Sequence, residues 1–252
     1  MPASVSNSSQ SGRSAMFHLL GVVPWDAVAA LQQWLVYEAS GSRAARAVVL
    51  LCEHPPILTV GRQGSRLDIR GEDAWTRAGH EIRWQNRGGG SLVHAPGQLA
   101  VYPIVPLEPF GLSVGAFLDG LQSALERMAD DVRFPLSSPT GGAAPRRGLW
   151  GRTGQAAFIG VAVKQWVTYQ GLFINVDPPL EFVRRAAAVG TVADRDAIGG
   201  EASTLSAELR RPVRMPAVRQ SIIERLADVW GCGYHVVSGH PNLIGTDRAH
   251  AT

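Results

Sequence analysis

Lysine is almost absent from this sequence. Of its 24 lysine and arginine residues only Lys164 is a lysine, set against 21 acidic residues for a net charge of +3. The arginines form no basic block and no aromatic-basic stripe, so nucleic-acid binding is not expected. Cysteine is nearly as scarce. Cys52 and Cys232 make neither a disulfide framework nor a metal-ligand spacing, which points to a reducing, cytoplasmic setting and to no bound metal. No stretch approaches the roughly 20 apolar residues of a membrane span. The first fifteen residues are Ser-rich with a single arginine. They lack both the apolar core of a secretory signal and the amphipathicity of an organelle-targeting peptide.

What is present is an ordinary globular composition, 45% apolar and 18% charged. The 252 residues are enough to bury a sizeable core without disulfides or metals. Residues 1–15 are expected to be a disordered tail, 16–238 a single domain, and 239–252 a second loose tail. Strands are expected over 16–23, 47–51, 57–60, 81–85, 99–105, 148–151, 155–167, 171–176 and 234–237. Helices are expected over 26–39, 113–130 and 216–230. The middle one repeats Val114, Phe117, Leu118, Leu121, Leu125 and Met128 at three- and four-residue steps behind a capping Ser113. The last opens with proline in its first turn. Residues 135–147, rich in Pro, Gly and Ser, read as an internal loop. Helices alternate with strands, yet strands also come in groups, so the class is α+β with a central mixed sheet packed by helices.

The chemistry-bearing segment is Arg87-Gly88-Gly89-Gly90-Ser91-Leu92-Val93-His94-Ala95-Pro96-Gly97-Gln98. Consecutive glycines let backbone N–H groups approach a ligand closely, in conformations other residues avoid. Arg87 reads as a charge at the entrance and His94 as a donor or acceptor, a set suited to an acyl carbonyl, a carboxamide or a phosphate. No lysine follows the glycines, which excludes a Walker-type phosphate loop. Taken alone, the segment reads as a structural hairpin before it reads as a ligand site.

Several further segments give the loop a context. His54-Pro55-Pro56-Ile57-Leu58-Thr59-Val60-Gly61-Arg62 resembles the HPP-x-(Y/L)-T-x-G-R segment of lipoyl(octanoyl)transferases, and Arg87–Gln98 their RGG-x-x-T-x-H-G-P-G-Q loop, with Leu92 for Thr and Ala95 for Gly. Tyr102-Pro103-Ile104 is similar to the family's Y-P-I, and Gly148-Leu149-Trp150 to its G-V-(W/Y). Phe158-Ile159-Gly160-Val161 resembles (S/A)-(I/L)-G, and Trp166-Val167-Thr168-Tyr169-Gln170-Gly171 resembles W-V-(T/S)-(Y/F)-H-G. Asn175-Val176 and Ser203-Thr204-Leu205 complete the series, which runs in order from about residue 46 to 210.

The resemblance implies the fold shared with biotin and lipoate protein ligases. It implies transfer of an octanoyl group from acyl carrier protein to a lysine of a lipoyl domain, in 2-oxoacid dehydrogenases or the glycine cleavage H protein. No cofactor is implied, and a monomer is the default. The substrate-binding positions it implies are Arg87, Gly88, Gly89, Gly90, Ser91, Leu92, Val93, His94, Phe158, Ile159, Gly160, Gly171, Leu172 and Phe173.

The family's chemistry runs through a cysteine in P-C-G, which carries the acyl group as a thioester, and a lysine in K-(I/L)-A-x-x-G. An ammonium beside a thiol lowers its pKa from about 8.5. Here the lysine position is Gln155 and the cysteine position Val189, with no gap between Gly148 and Gly190; the family's histidine before Gly171 is Gln170. Valine forms no thioester. Cys52 reads as a buried structural thiol, Cys232 lies outside the matching region, and Lys164, nine residues beyond Gln155, points to the opposite face of a regular strand. Three readings stay open. One is direct acyl transfer, with His94 as base or a relocated nucleophile. Another is a catalytically silent module that binds an acyl chain, a carrier protein or a lipoyl domain. An ATP-dependent ligase is the third, which the loss of lysine at position 155 disfavours.

Overall fold

The computed structural model describes residues 6–7, 12–64, 72–137, 147–187 and 202–243. In chain order the elements are β1 (Ser6–Asn7), β2 (Ser14–Val22), α1 (Trp25–Ser40), β3 (Arg46–Glu53), β4 (Ile57–Val60), α2 (Glu72–Arg77), β5 (Glu81–Trp84), β6 (Ser91–His94), β7 (Gln98–Ile104), α3 (Val114–Val132), β8 (Gly148–Trp150), β9 (Gln155–Lys164), β10 (Val167–Asn175), α4 (Leu180–Ala187), α5 (Leu205–Leu209), α6 (Met215–Trp230) and β11 (Gly233–Ser238). A single 3-10 turn, Pro241–Leu243, follows.

Eight strands form one mixed sheet in the order β1-β11-β2-β3-β7-β10-β9-β8, and β5-β4-β6 form a second, smaller sheet. The α+β expectation holds. Strand β2 pairs in parallel with both β3 and β11, whereas β3–β7, β7–β10, β10–β9 and β9–β8 are antiparallel. Parallel neighbours need a crossover, and α1 supplies it between β2 and β3.

Side-chain alternation along the strands builds two cores. Val49, Leu51, Leu99, Val101, Ala157, Val161, Leu172 and Ile174 face α3 and α6, whose Phe117 and Trp230 rings stack at 6.1 Å. Leu50, Cys52, Ala100, Tyr102, Ile104, Val167 and Phe173 face α1. A third cluster, Leu58, Val60, Trp75, Val93, Val183 and Ala202, joins the small sheet to α4. The Ser113 side chain accepts a hydrogen bond from Ala116 N at the start of α3, as the sequence indicated.

Four differences from the sequence reading have clear physical causes. The expected tail boundary at residue 15 falls inside β2, where Ala15 is buried, and Ser6–Asn7 pairs with β11. Residues 91–94, read as loop, form β6. Helices α2, α4 and α5 are too short for a periodic pattern to declare itself. The β9–β10 hairpin turns at Gln165–Trp166, both at positive φ as a two-residue turn requires, and not at 168–170. Of the expected linker over 135–147, residues 138–146 lie outside the described residues.

Pro103 sits within β7, between two neighbouring strands, and has no N–H to give. The neighbouring strand adapts. Register pairing of β10 with β7 covers only Leu172–Asn175, and the Thr168 hydroxyl donates to Pro103 O while accepting from Val105 N. Gln170 adopts φ 59, and its N–H turns to Gln32 Oε1 of α1 at 2.8 Å. Gly171 is required beside it, because a Cβ there would lie 2.2 Å from Val101 O and 2.5 Å from Pro103 Cδ. The Y-P-I and Gln-Gly segments are therefore one device. Gly171→Ala is expected to destabilise the fold by about 1–3 kcal/mol, read as a lowered urea midpoint at unchanged m-value.

Candidate functional site

The small sheet is held to the large one by a chain of buried polar groups that starts at Arg87. The Arg87 side chain is 3% exposed, not at an entrance as the sequence suggested. Its Nη2 donates to Thr59 O at 2.9 Å and Thr59 Oγ1 at 2.8 Å, and its Nη1 to Gly88 O at 3.0 Å. All of these partners are neutral oxygens, and Nε has none; burial pushes the guanidinium pKa down to about 10. Two glycines make room for it. A Cβ on Gly61 would lie 2.9 Å from Arg87 Nη1 and 2.3 Å from Gly89 O, and one on Gly160 would lie 3.2 Å from Arg87 Cδ.

From Thr59 the chain continues into His94. Gln98 Nε2 donates to Val93 O and to Asn175 Oδ1, which leaves Gln98 Oε1 as the acceptor facing His94 Nδ1 at 2.7 Å. Nδ1 therefore carries the proton, and Nε2 accepts from the Thr59 hydroxyl at 2.9 Å. Asn175 Nδ2 passes the chain on to Ser203 O. His94 is 0% exposed and is packed by the rings of Trp25, His54 and Phe173. Its lone pair faces the Thr59 hydroxyl and the ring is enclosed, so the structure does not present it as a base lining an open acyl site. His94 is a positioning residue.

A second buried histidine stands beside it. His54 Nδ1 donates to Val23 O at 2.7 Å and Nε2 accepts from Tyr102 OH at 2.8 Å. Neither cysteine offers a relocated nucleophile. Burial, with the Glu53 charge adding to it, raises the Cys52 thiol far above its usual range, and burial raises Cys232 to about 11.

Gln155, at the lysine position, opens β9. Its Nε2 donates to Arg147 O at 3.2 Å and Ala157 O at 3.0 Å, and it lies 2.5 Å from where a Cβ on Gly148 would be. The amide is folded onto the edge of the sheet and carries no charge. Val189 lies outside the described residues; α4, which precedes it, is anchored by Val183 and by Phe182 against Trp75 and His80. Lys164 is exposed at the far end of β9, next to the hairpin turn.

The remaining expected positions divide by face. Gly88, Gly89, Gly90 and Ser91 are partly exposed, and the Gly88 N–H is held by Val161 O at 3.1 Å. The Ser91 hydroxyl is buried without a protein partner. Leu92, Phe158, Gly160 and Phe173 lie on the side facing the loop and α1. Val93 belongs to the small-sheet cluster, and Gly171 is filled by backbone. Ile159 and Leu172 face the opposite core and are withdrawn from the site.

Sequence reading missed Thr59, Asn175 and Tyr102 as members of the network, although each lies in a quoted motif. It also missed Glu208. Burial raises that carboxyl, but hydrogen bonds from the Thr153 and Ser203 hydroxyls and from Thr153 N and Arg152 N outweigh it, so its pKa is lowered. Glu208 ties the β8–β9 turn to α5, and it occupies the space a Cβ on Gly151 would need. Among the described residues no cluster of three or more His, Cys, Asp or Glu side chains is placed to hold a metal ion.

The buried histidines make stability depend on pH. Burial lowers His54 to about 4, and burial with the neighbouring His54 and Arg87 charges takes His94 well below its usual value. At pH 7 both are neutral in the folded chain and mostly neutral in the unfolded chain. Below about pH 6.5 the unfolded chain binds protons that the folded chain refuses, so stability falls, by at most about 1.4 kcal/mol per pH unit for each group. Denaturant titrations from pH 7 to 5 are expected to show this decline, with a shallower slope in His94→Gln.

The lipoyl protein ligase A/B catalytic domain family model matches residues 26–227. The octanoyltransferase of Geobacter metallireducens is 32% identical over 210 residues, covering 83% of this chain and 91% of that protein. That of Syntrophobacter fumaroxidans is 33% identical over 175 residues, covering 69% and 72%. Among solved structures, a bi-partite lipoate protein ligase from Thermoplasma acidophilum superposes with a TM-score of 0.66 at 13% identity, covering 91% of this chain and 89% of the other. A lipoate-protein ligase A bound with ATP gives 0.63 at 11%, covering 92% and 91%. The structural likenesses carry the fold, and the sequence matches carry the family: the chain belongs to the octanoyltransferase family, within the lipoyl protein ligase A/B catalytic domain family.

Proposed function

We propose that this protein is a non-acylating member of its family, one that holds an acyl group and a lipoyl domain without carrying the acyl group itself. The observation behind this reading is the Gln155 amide, folded onto Arg147 O and Ala157 O where the family's ammonium would stand. Without that cation, and with valine at the cysteine position, no thiolate is available to attack a thioester. The two cysteines present are buried with raised pKa values, and His94 is closed off as a base. A ligase that holds an acyl-adenylate would need the same missing cation.

The binding half of the machinery supports retained recognition. Glycines 88–90 and Ser91 are partly exposed above a rigid polar network, and the Ser91 hydroxyl has no protein partner. The relatives are named octanoyltransferases, and the Thermoplasma ligase is described together with its E2 lipoyl domain. On that basis the partners we propose are acyl carrier protein and the lipoyl domains of 2-oxoacid dehydrogenases or the glycine cleavage H protein. Two unpaired thiols fit a reducing cytoplasm. No helix among the described residues is long and apolar enough to cross a membrane.

The retained glycine loop favours a second reading, direct attack of the lipoyl-domain lysine on a bound thioester. Positioning and oxyanion stabilisation alone leave about 10³–10⁴ over water when a nucleophile is lost. One incubation separates the two. Octanoyl-carrier protein and an unmodified lipoyl domain are mixed with this protein, and all chains are weighed by intact-mass spectrometry. We expect no octanoyl gain on this chain and no modification of the lipoyl domain above the protein-free control. An octanoylated lipoyl domain with this chain unmodified would establish direct transfer instead.

A further inference from the structure

The acyl-binding reading leaves open which acyl group fits, and Phe158 bears on that. The family's motif has serine or alanine at this position, and this chain has a benzyl side chain. Phe158 lies directly across from Phe173 on β10 and from Gly148 on β8. It shares a face of β9 with Gly160, two residues on, where the missing Cβ would be 3.1 Å from Gly88 O and 3.2 Å from Arg87 Cδ. Its ring therefore projects on the side the glycine loop crosses.

Two clusters meet there. Phe158 packs against the α1-side cluster that contains Leu92 and Phe173, and also against the small-sheet cluster that contains Leu58 and Val93. It is only partly buried, so these clusters do not wholly enclose it. Leu92, apolar where the family has threonine, belongs to the α1-side cluster against which Phe158 packs. Protein interiors are close-packed, so a phenyl ring displaces its own volume of guest chain, roughly three or four methylenes. We propose that Phe158 is a specificity-determining residue that shortens the acyl site, so that it takes short-chain acyl groups of about four or five carbons in place of octanoyl.

This inference rests on the acyl-binding reading, and the test separates the two. Non-transferable probes are used, the amide analogues of butanoyl- and octanoyl-pantetheine, titrated calorimetrically into the full chain and into Phe158→Ala. Each methylene that gains a buried site is worth about fourfold in affinity. The expected result is that the unaltered chain binds the butanoyl probe about tenfold or more tighter than the octanoyl probe. Phe158→Ala is expected to reverse that order. Phe158→Leu, which keeps most of the packing, should fall between them and serves if the alanine variant does not fold. Equal or tighter octanoyl binding by the unaltered chain overturns the inference and leaves the acyl-binding reading standing. If neither probe binds to either protein, the acyl-binding reading itself has failed, and this inference with it.

Discussion

A buried guanidinium with no carboxylate partner among the described residues is the constraint around which the rest of this fold is arranged. Removing a charge from water is costly unless every donor is satisfied. Arg87 spends its Nη groups on Thr59 and Gly88, two points on the small sheet and its loop. Those bonds require Thr59 on β4, a glycine at 61, and a glycine at 160 on the large sheet. Thr59 in turn meets His94, whose tautomer Gln98 sets, and through Gln98 and Asn175 the chain reaches Ser203. A directional chain of donors thus runs from one sheet into the other. A chain of this kind resists partial change, since each lost member leaves a buried group unpaired.

This dependence explains why the conserved-looking parts of the motifs and the altered parts behave differently here. Residues inside the network, such as Arg87, Thr59, His94, Gln98 and Asn175, are structural necessities whatever chemistry the protein performs. Gln155 is outside it. An amide at the sheet edge costs nothing, because Arg147 O and Ala157 O accept its hydrogens. The scaffold can therefore persist unchanged while the charge that would activate a thiol is gone. Gln170 is an intermediate case. Its backbone is forced by Pro103 on the neighbouring strand, yet its side chain reaches Gln85 Oε1 only at 3.4 Å and leaves Oε1 unpartnered.

Much of the fold was legible from hydrophobic period and punctuation, because long buried strands such as β3 and β7 and the amphipathic α3 declare themselves locally. The short elements did not. Ser91–His94 is four residues between Gly90 and Ala95-Pro96, and its pairing with β4 is a tertiary fact. The resemblance placed runs of consecutive residues at the site, 158–160 and 171–173, but alternation along β9 and β10 turns Ile159 and Leu172 to the opposite core. The site was legible as a set of motifs and not as a set of roles. Nothing in the sequence reveals that Arg87 and His94 are closed off from solvent, since burial depends on how the two sheets pack. Thr59 lay in view, but a hydroxyl in a strand has no signature until its partners are placed.

The proposed loss of covalent acyl transfer rests on two replaced groups, the charge at Gln155 and the thiol at Val189. It is tested most directly by restoring both, with Gln155→Lys and Val189→Cys in one chain, and weighing the intact protein after incubation with butanoyl- and octanoyl-carrier protein. An acyl adduct of one equivalent is expected on the double variant, removable by hydroxylamine, and none on the unaltered chain. An adduct on the unaltered chain, or none on a folded double variant, would contradict it.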